Sequence, residues 1–318
     1  MKTRVLGQTG LEIAPIVFGG NVFGWTIDEA ASFDVLDAFV DHGFDAIDTA
    51  DVYSAWAPGN TGGESETIIG RWLRARPGMR GKVKIFTKVG SDLGAPGKKG
   101  LSRRWVIEAV EDSLTRLGIE RIDLYFSHWP DPATPYEETL GAYATLLEQG
   151  KIRSVGASNL DAAQLGEALH VAERTGLPRY QVLQPEYNLY DRAGFEGALR
   201  DLCLREGLGV VTYYSLASGF LTGKYRTEND FGQSRRGQGI GKYLTPRGMR
   251  CLAALDEVAG RHQATDAEVA LAWLIAKEGV TAPIASATKR AHVESFARAA
   301  TLGLAAEDLA LLDEASRP

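Results

Sequence analysis

The feature that most limits the possible folds is a rhythm. Short runs rich in β-branched residues, bounded by polar residues or glycine, recur at 14–18, 45–48, 83–88, 122–127, 152–157, 181–184, 209–214 and 282–286. Segments with helical spacing lie between them, so successive strands pair in parallel through helical crossovers rather than as hairpins. The helical segments have readable ends. Asp28 opens one whose Phe33, Leu36 and Phe39–Val40 share a face before Gly43 stops it. Ser102 opens another, with Trp105, Val106, Ala109, Val110, Ser113 and Leu114 facing inward and Gly118 as the stop. Pro135 with Glu137 and Glu138 opens a third, where proline and acidic side chains suit the positive end of the helix dipole. Asp161 caps the next, ahead of Leu165 and Leu169.

Strands alternating with helices, without a break after the sixth, predict an α/β fold of one kind: a closed (β/α)8 TIM barrel rather than an open doubly wound sheet. Residues 1–318 are expected to form one such domain. The opening RVLGQTGLEIAPI reads as an N-terminal β-hairpin over the barrel floor, and helical segments at 247–262 and 305–316 exceed the minimal eight. The connection 217–246, rich in Gly, Arg, Ser and Gln, reads as a structureless loop of a length that usually carries function or moves.

Composition removes several function classes. The net charge is −6 and the basic residues are scattered, which argues against nucleic acid or an anionic membrane as partner. The longest apolar stretches are strand-sized, far below a bilayer span. The first residues lack the apolar core of a signal peptide, so a cytoplasmic protein is expected. Cys203 and Cys251 are too few for a disulfide framework or a zinc ribbon, and no metal site is expected.

Three successive runs deliver polar groups to one rim. Asp48 and Tyr53 close GFDAIDTADVY, Lys88 closes VKIFTK, and His128 closes IDLYFSH. Taken alone, Lys88 reads as a solvated lysine, His128 as a satisfied core histidine and Asp48 as a turn cap. In an α/β barrel the carboxyl ends of the strands line the active site, so their coincidence there carries chemical meaning. Reduction of a carbonyl suits them. Negative charge builds on the carbonyl oxygen, which must gain a proton. Tyr53 is the expected general acid, Lys88 held charged by Asp48 lowers the phenol's pKa, and His128 orients the oxygen. A cation a few ångströms away, at an effective dielectric of about 20, favours the phenolate by about 4 kcal/mol before desolvation opposes it.

GFDAIDTADVYS (43–54), HWPDP (128–132), GKIRSVGASNL (150–160), QPEYNLY (184–190) and TYYSLASGFLTGKY (212–225) together resemble the signature segments of the aldo-keto reductases. The likeness runs in order from about Arg4 to the last helix, and the Asp–Tyr–Lys–His set falls on the family's positions. It implies a (β/α)8 barrel, an extended nicotinamide cofactor bound without a Rossmann fold, and NADPH-linked reduction of aldehydes or ketones. By the resemblance, Ser158, Asn159 and Gln184 hold the carboxamide, Tyr213 stacks on the nicotinamide, and Ser215, Leu216, Ser218, Gly219 and Lys224 strap the pyrophosphate, with Arg235–Arg236 in the belt beyond. The adenosine end departs from the family pattern: Ser286, His292 and Ser295–Phe296 stand where better-known members carry two basic residues and a Glu–Asn pair. Thr288, Lys289 and Arg290 are near enough to supply the missing contacts at a helix start. NADP(H) is therefore expected, with NAD(H) use open.

Trp25, Trp56 and Trp129 are expected walls of an apolar substrate pocket for a small-molecule carbonyl. Trp72 and Trp105 lie in helical patterns and read as packing residues. Two other functions stay open at this point: a barrel aldolase using Lys88 as a Schiff-base amine, and a nucleotide-binding regulatory subunit with little turnover.

Overall fold

A computed structural model describes residues 2–317. The chain opens with an antiparallel pair, β1 (Arg4–Val5) and β2 (Glu12–Ile13). Eight strands follow: β3 (Val17–Gly19), β4 (Ala46–Asp48), β5 (Lys84–Val89), β6 (Leu124–Ser127), β7 (Val155–Ser158), β8 (Val182–Gln184), β9 (Gly209–Thr212) and β10 (Ala282–Ala285). They pair in parallel in sequence order, and β10 pairs with both β9 and β3, which closes the barrel.

The helices are α1 (Glu29–Asp41), α2 (Glu64–Ala75), α3 (Arg103–Leu117), α4 (Tyr136–Glu148), α5 (Ala162–Thr175), α6 (Ala198–Arg205), α7 (Pro246–His262), α8 (Asp266–Ala276), α9 (Arg290–Ala299) and α10 (Ala306–Ala315). Their ends follow local chemistry. The side chains of Asp28, Ser102 and Asp161 accept from the backbone N–H three residues on, and Gly118 sits in left-handed conformation after α3. Both α7 and α8 lie between β9 and β10, and α8 packs on β10, so α7 is the added helix and α10 packs against it. Among the described residues no helix is long and apolar enough to cross a membrane.

The stretch 217–246 is not structureless. It is a chain of 3-10 turns at Ala217–Thr222, Glu228–Gln233, Gly237–Gly239 and Gly241–Tyr243. Such turns close on i→i+3 bonds and carry no long apolar period, which is why hydropathy patterning misses them. Arg226 ties the segment to Asp256 of α7 (2.7 Å) and Asp266 of α8 (3.2 Å).

Alternation along the strands sorts side chains between two cores. Leu6, Leu11 and Ile13 of the hairpin form one cluster with Val17, Ala46, Phe86, Leu124, Phe126 and Val211 inside the barrel. The hairpin therefore stoppers the amino-terminal end. Gly7, at φ +53°, leans on β9: a Cβ there would lie 2.3 Å from Gly209 N. The opposite strand faces, with Ile47, Ile85 and Tyr125, join the larger core beneath the helices, which also holds Trp72 and Trp105. Because successive side chains alternate, Ala46 and Asp48, Phe86 and Lys88, and Phe126 and His128 face inward together. Barrel pattern thus lifts one charged or polar group per strand above an apolar floor.

Helix packing is close enough to be tested at one position. A Cβ on Gly70 of α2 would meet the Arg116 carbonyl oxygen at 2.2 Å, a backbone atom of α3 that cannot swing away. Gly70→Ala is expected to destabilise the fold by about 2 kcal/mol or more through overpacking, read as a lower urea midpoint. An unchanged midpoint would show that α2 and α3 separate at little cost.

Candidate active site

Asp48 ends β4, Tyr53 follows it in a tight loop, Lys88 stands in β5 and His128 follows β6. The Lys88 ammonium is fully buried and donates to three acceptors: Asp48 Oδ2 at 2.6 Å, the Thr49 carbonyl at 2.7 Å and the Tyr53 hydroxyl at 2.9 Å. Three donors with three acceptors is the coordination a charged lysine requires away from water. Asp48 is held from its other side, since Gln184 Nε2 on β8 donates to Oδ1 at 2.9 Å. With Lys88 occupying a lone pair of the phenol oxygen, the phenolic proton has Asp48 Oδ2 as its partner, at a long 3.3 Å. The Tyr53 and His128 rings meet edge to face, 6.1 Å between centroids and 70° between planes.

One electrostatic expectation is corrected. With Lys88 beside it, the phenol still titrates above its ordinary value and not below it. Burial pushes Tyr53 well above its ordinary value, and the Asp48 carboxylate 3.3 Å away pushes in the same direction. Burial also pulls Lys88 below its ordinary value, with Asp48 opposing. The phenol is therefore a loaded, protonated acid at any physiological pH. The ammonium beside it acts by holding the oxygen and by meeting the charge left once the proton departs.

A cavity of about 1070 Å³ opens over these residues. Asp48, Tyr53, His128, Trp56 and Trp129 line it, together with Ser158, Asn159, Gln184, Tyr213, Ser215, Leu216, Ser218, Gly219 and Lys224. Its far end is lined by Ser286, Thr288, Lys289 and His292. Two expected residues lie elsewhere. Arg290, the first residue of α9, turns outward and pairs with Asp34 (2.8 Å) and Asp41 of α1. Trp25 stands behind the wall, edge-on to Trp56 at 5.5 Å and under the Arg236 guanidinium at 5.2 Å. Ser91, Asn21 and Tyr214 line the cavity without having been read from sequence. Ser91 follows a glycine in a turn with no pattern of its own; Tyr214, beside the recognised Tyr213, was the nearest to legible.

The wall chemistry matches a long anionic ligand bearing a primary amide. Lys224, Arg235, Arg236 and Lys289 line the cavity, and the single lining carboxylate among the described residues, Asp48, is already paired. Gln184 Oε1 receives no hydrogen bond from the described residues, which leaves an acceptor for an amide. Asn159 is less free: its Nδ2 donates to the His128 carbonyl (2.8 Å) and Ser158 Oγ (3.1 Å), and its Oδ1 accepts from Tyr213 (2.7 Å). The rim is also strained. Asn159, Tyr214 and Ser218 on it, with Ser54 and Ala217 buried beside it in sequence, hold positive φ without being glycine, a conformation that costs about 1–3 kcal/mol per residue and gathers at functional sites. Gly219 continues the left-handed run at φ +101°.

His128 is held well below the usual imidazole range, first by burial and then by the Lys88 charge. In the unfolded chain it titrates near 6.5. Between the two values the unfolded chain binds the extra proton, so stability rises with pH there. This contribution is complete above about pH 6.5 and is lost as pH falls below it. His128→Gln is expected to flatten the acid limb of urea midpoint against pH between about pH 5 and 7. If the slope persists in the variant, another group governs it.

Comparison with known proteins agrees with this architecture. The Aldo/keto reductase family profile matches residues 15–317. An uncharacterized 11.2 kDa protein from the crtE 3′ region of Pseudescherichia vulneris is 68% identical over 95 residues, 30% of this chain and 92% of the relative. The uncharacterized oxidoreductase YrpG of Bacillus subtilis is 31% identical, covering 99% of this chain and 95% of its own. A probable voltage-gated potassium channel subunit beta of Arabidopsis thaliana is also 31% identical, over 94% and 91% of the two chains. The match spans barrel, rim and C-terminal helices alike, and the chain belongs to the aldo/keto reductase family.

Proposed function

We propose that this oxidoreductase reduces aldehydes or ketones to alcohols with NADPH, residues 1–318 acting as one barrel unit. The carrying observation is the phenol of Tyr53, protonated and bound at its oxygen by a buried ammonium, on the wall of a cavity large enough for a dinucleotide. The bound cofactor supplies the hydride that reaches the carbonyl carbon. The chain's own groups handle the oxygen. Tyr53 turns its proton from the distant Asp48 to the substrate oxygen, which becomes far more basic than a phenolate as charge builds on it. Lys88 meets the phenolate from 2.9 Å, and Asp48 keeps the lysine charged. His128, neutral by its depressed pKa, offers a hydrogen bond without competing as an acid.

Gln184, with Ser158 and Asn159, would hold the carboxamide, and Tyr213 would stack on the ring. Ser215, Leu216, Ser218, Gly219 and Lys224 would strap the pyrophosphate. Thr288, Lys289, Ser286 and His292 would receive the adenosine end, Lys289 favouring a 2′-phosphate without excluding NADH. Trp56 and Trp129, each about half exposed, would flank the substrate.

Against the Schiff-base reading, the three contacts of Lys88 Nζ suit a charged ammonium, which has no lone pair to attack a carbonyl. A regulatory reading draws on the relatives named as channel subunits. Mixing the NADPH complex with 4-nitrobenzaldehyde separates the two, since turnover of bound NADPH supports a reductase and its absence supports a sensor. Tyr53→Phe is expected to lower kcat by about 10²–10⁴-fold while NADPH still binds by fluorescence titration. Wild-type turnover in that variant would remove Tyr53 as the acid.

A further inference from the structure

Ser91 lies in the turn after β5, follows Gly90 at φ +118°, and is 8% exposed. Its hydroxyl touches two consecutive residues of the next strand end: Oγ is 3.0 Å from His128 Nδ1 and accepts from Trp129 Nε1 at 3.1 Å. Those two rings lie nearly parallel, 15° apart. An indole N–H only donates, so Trp129 fixes one lone pair of the serine oxygen. The hydroxyl has one proton, and the described residues offer it no acceptor other than His128 Nδ1. Were Nδ1 protonated instead, Ser91 would receive two donors and its own proton would have no acceptor among the described residues, whereas an accepting Nδ1 satisfies all three groups at once.

We propose that Ser91 is a positioning residue: it donates to His128 Nδ1 and so fixes the ring as the Nε2–H tautomer, with Trp129 enforcing the direction of that donation. Nε2 receives no partner from the described residues and is the nitrogen left for a ligand in the cavity. A neighbour's hydrogen bond is the usual determinant of which imidazole nitrogen carries the proton. Under the reductase reading, on which the kinetic part of this inference rests, the tautomer decides whether His128 donates to the substrate oxygen or repels it with a lone pair. The same serine holds the Trp129 wall, so ring orientation and wall position are coupled through one hydroxyl.

Long-range 1H–15N correlation on the 15N-labelled full chain reads the tautomer directly, with His128 identified among the five histidines by loss of its signals in His128→Gln. The expected wild-type pattern is a pyridine-like Nδ1 and a pyrrole-like Nε2, moved toward a mixture by Ser91→Ala and retained by Ser91→Thr. A pyrrole-like Nδ1 in the wild type overturns the proposal, as does a Ser91→Ala spectrum identical to wild type. Should Ser91→Ala not fold, Ser91→Cys substitutes a much weaker donor and is read the same way. In kinetics, Ser91→Ala is expected to lower kcat about tenfold with NADPH affinity unchanged, and Ser91→Thr to restore it. If the wild type reduces no carbonyl, the reductase reading falls, while the nitrogen shifts still decide the role of Ser91.

Discussion

The arrangement at the barrel mouth depends on one buried cation. An ammonium with no exposed surface is tolerable only where its lost hydration is replaced group for group. Lys88 achieves this with a carboxylate, a main-chain carbonyl and a phenol, all from the segment 48–53. That requirement shapes its surroundings. It turns the loop after β4 back over β5, brings the Tyr53 oxygen to a fixed point, and commits Asp48 to the interior. Gln184, from the far side of the barrel, then has a carboxylate oxygen to bind. A single charge thus links β4, β5 and β8 above the apolar layers.

The rest of the cavity is built from backbone that the chain would not adopt unaided. Three non-glycine residues at positive φ, Asn159, Tyr214 and Ser218, line it, and the 3-10 segment beyond β9 is anchored on α7 and α8 by Arg226. From the same segment, Arg235 donates to the Trp25 carbonyl at 2.6 Å and Arg236 to Asn21 at 3.2 Å, bridging the cavity from β9 to β3. Strands below and a tethered belt above make a cation-lined groove. A shared barrel does not fix one activity. Relatives over nearly the whole length carry names as different as oxidoreductase and channel subunit. What this chain does is therefore argued from the proton inventory of its rim.

Much of this was legible in the sequence because barrel strands are short and strictly alternating. The strand runs were found within a few residues, and the caps Asp28, Ser102 and Asp161 act as their chemistry suggests. Asp48, Lys88 and His128 were conspicuous as polar residues ending apolar runs. The form of the belt was not legible because 3-10 turns have no amphipathic period. Arg290 was drawn into a phosphate site by its neighbours in sequence, yet one residue's rotation at the start of α9 turns it to Asp34. Ser91 carried no signal, since its importance lies in two contacts across a strand boundary.

Local pattern by itself determined the strand and helix rhythm, the closed barrel and the family, because each rests on periodicity and on short motifs that need no distant partner. Tertiary structure alone decided protonation and direction. The phenol's pKa rises because burial and Asp48 act together, and the proton on the His128 ring follows from a serine and an indole on neighbouring strand ends. Charge balance in a buried site is a sum over groups that only folding brings within a few ångströms of one another.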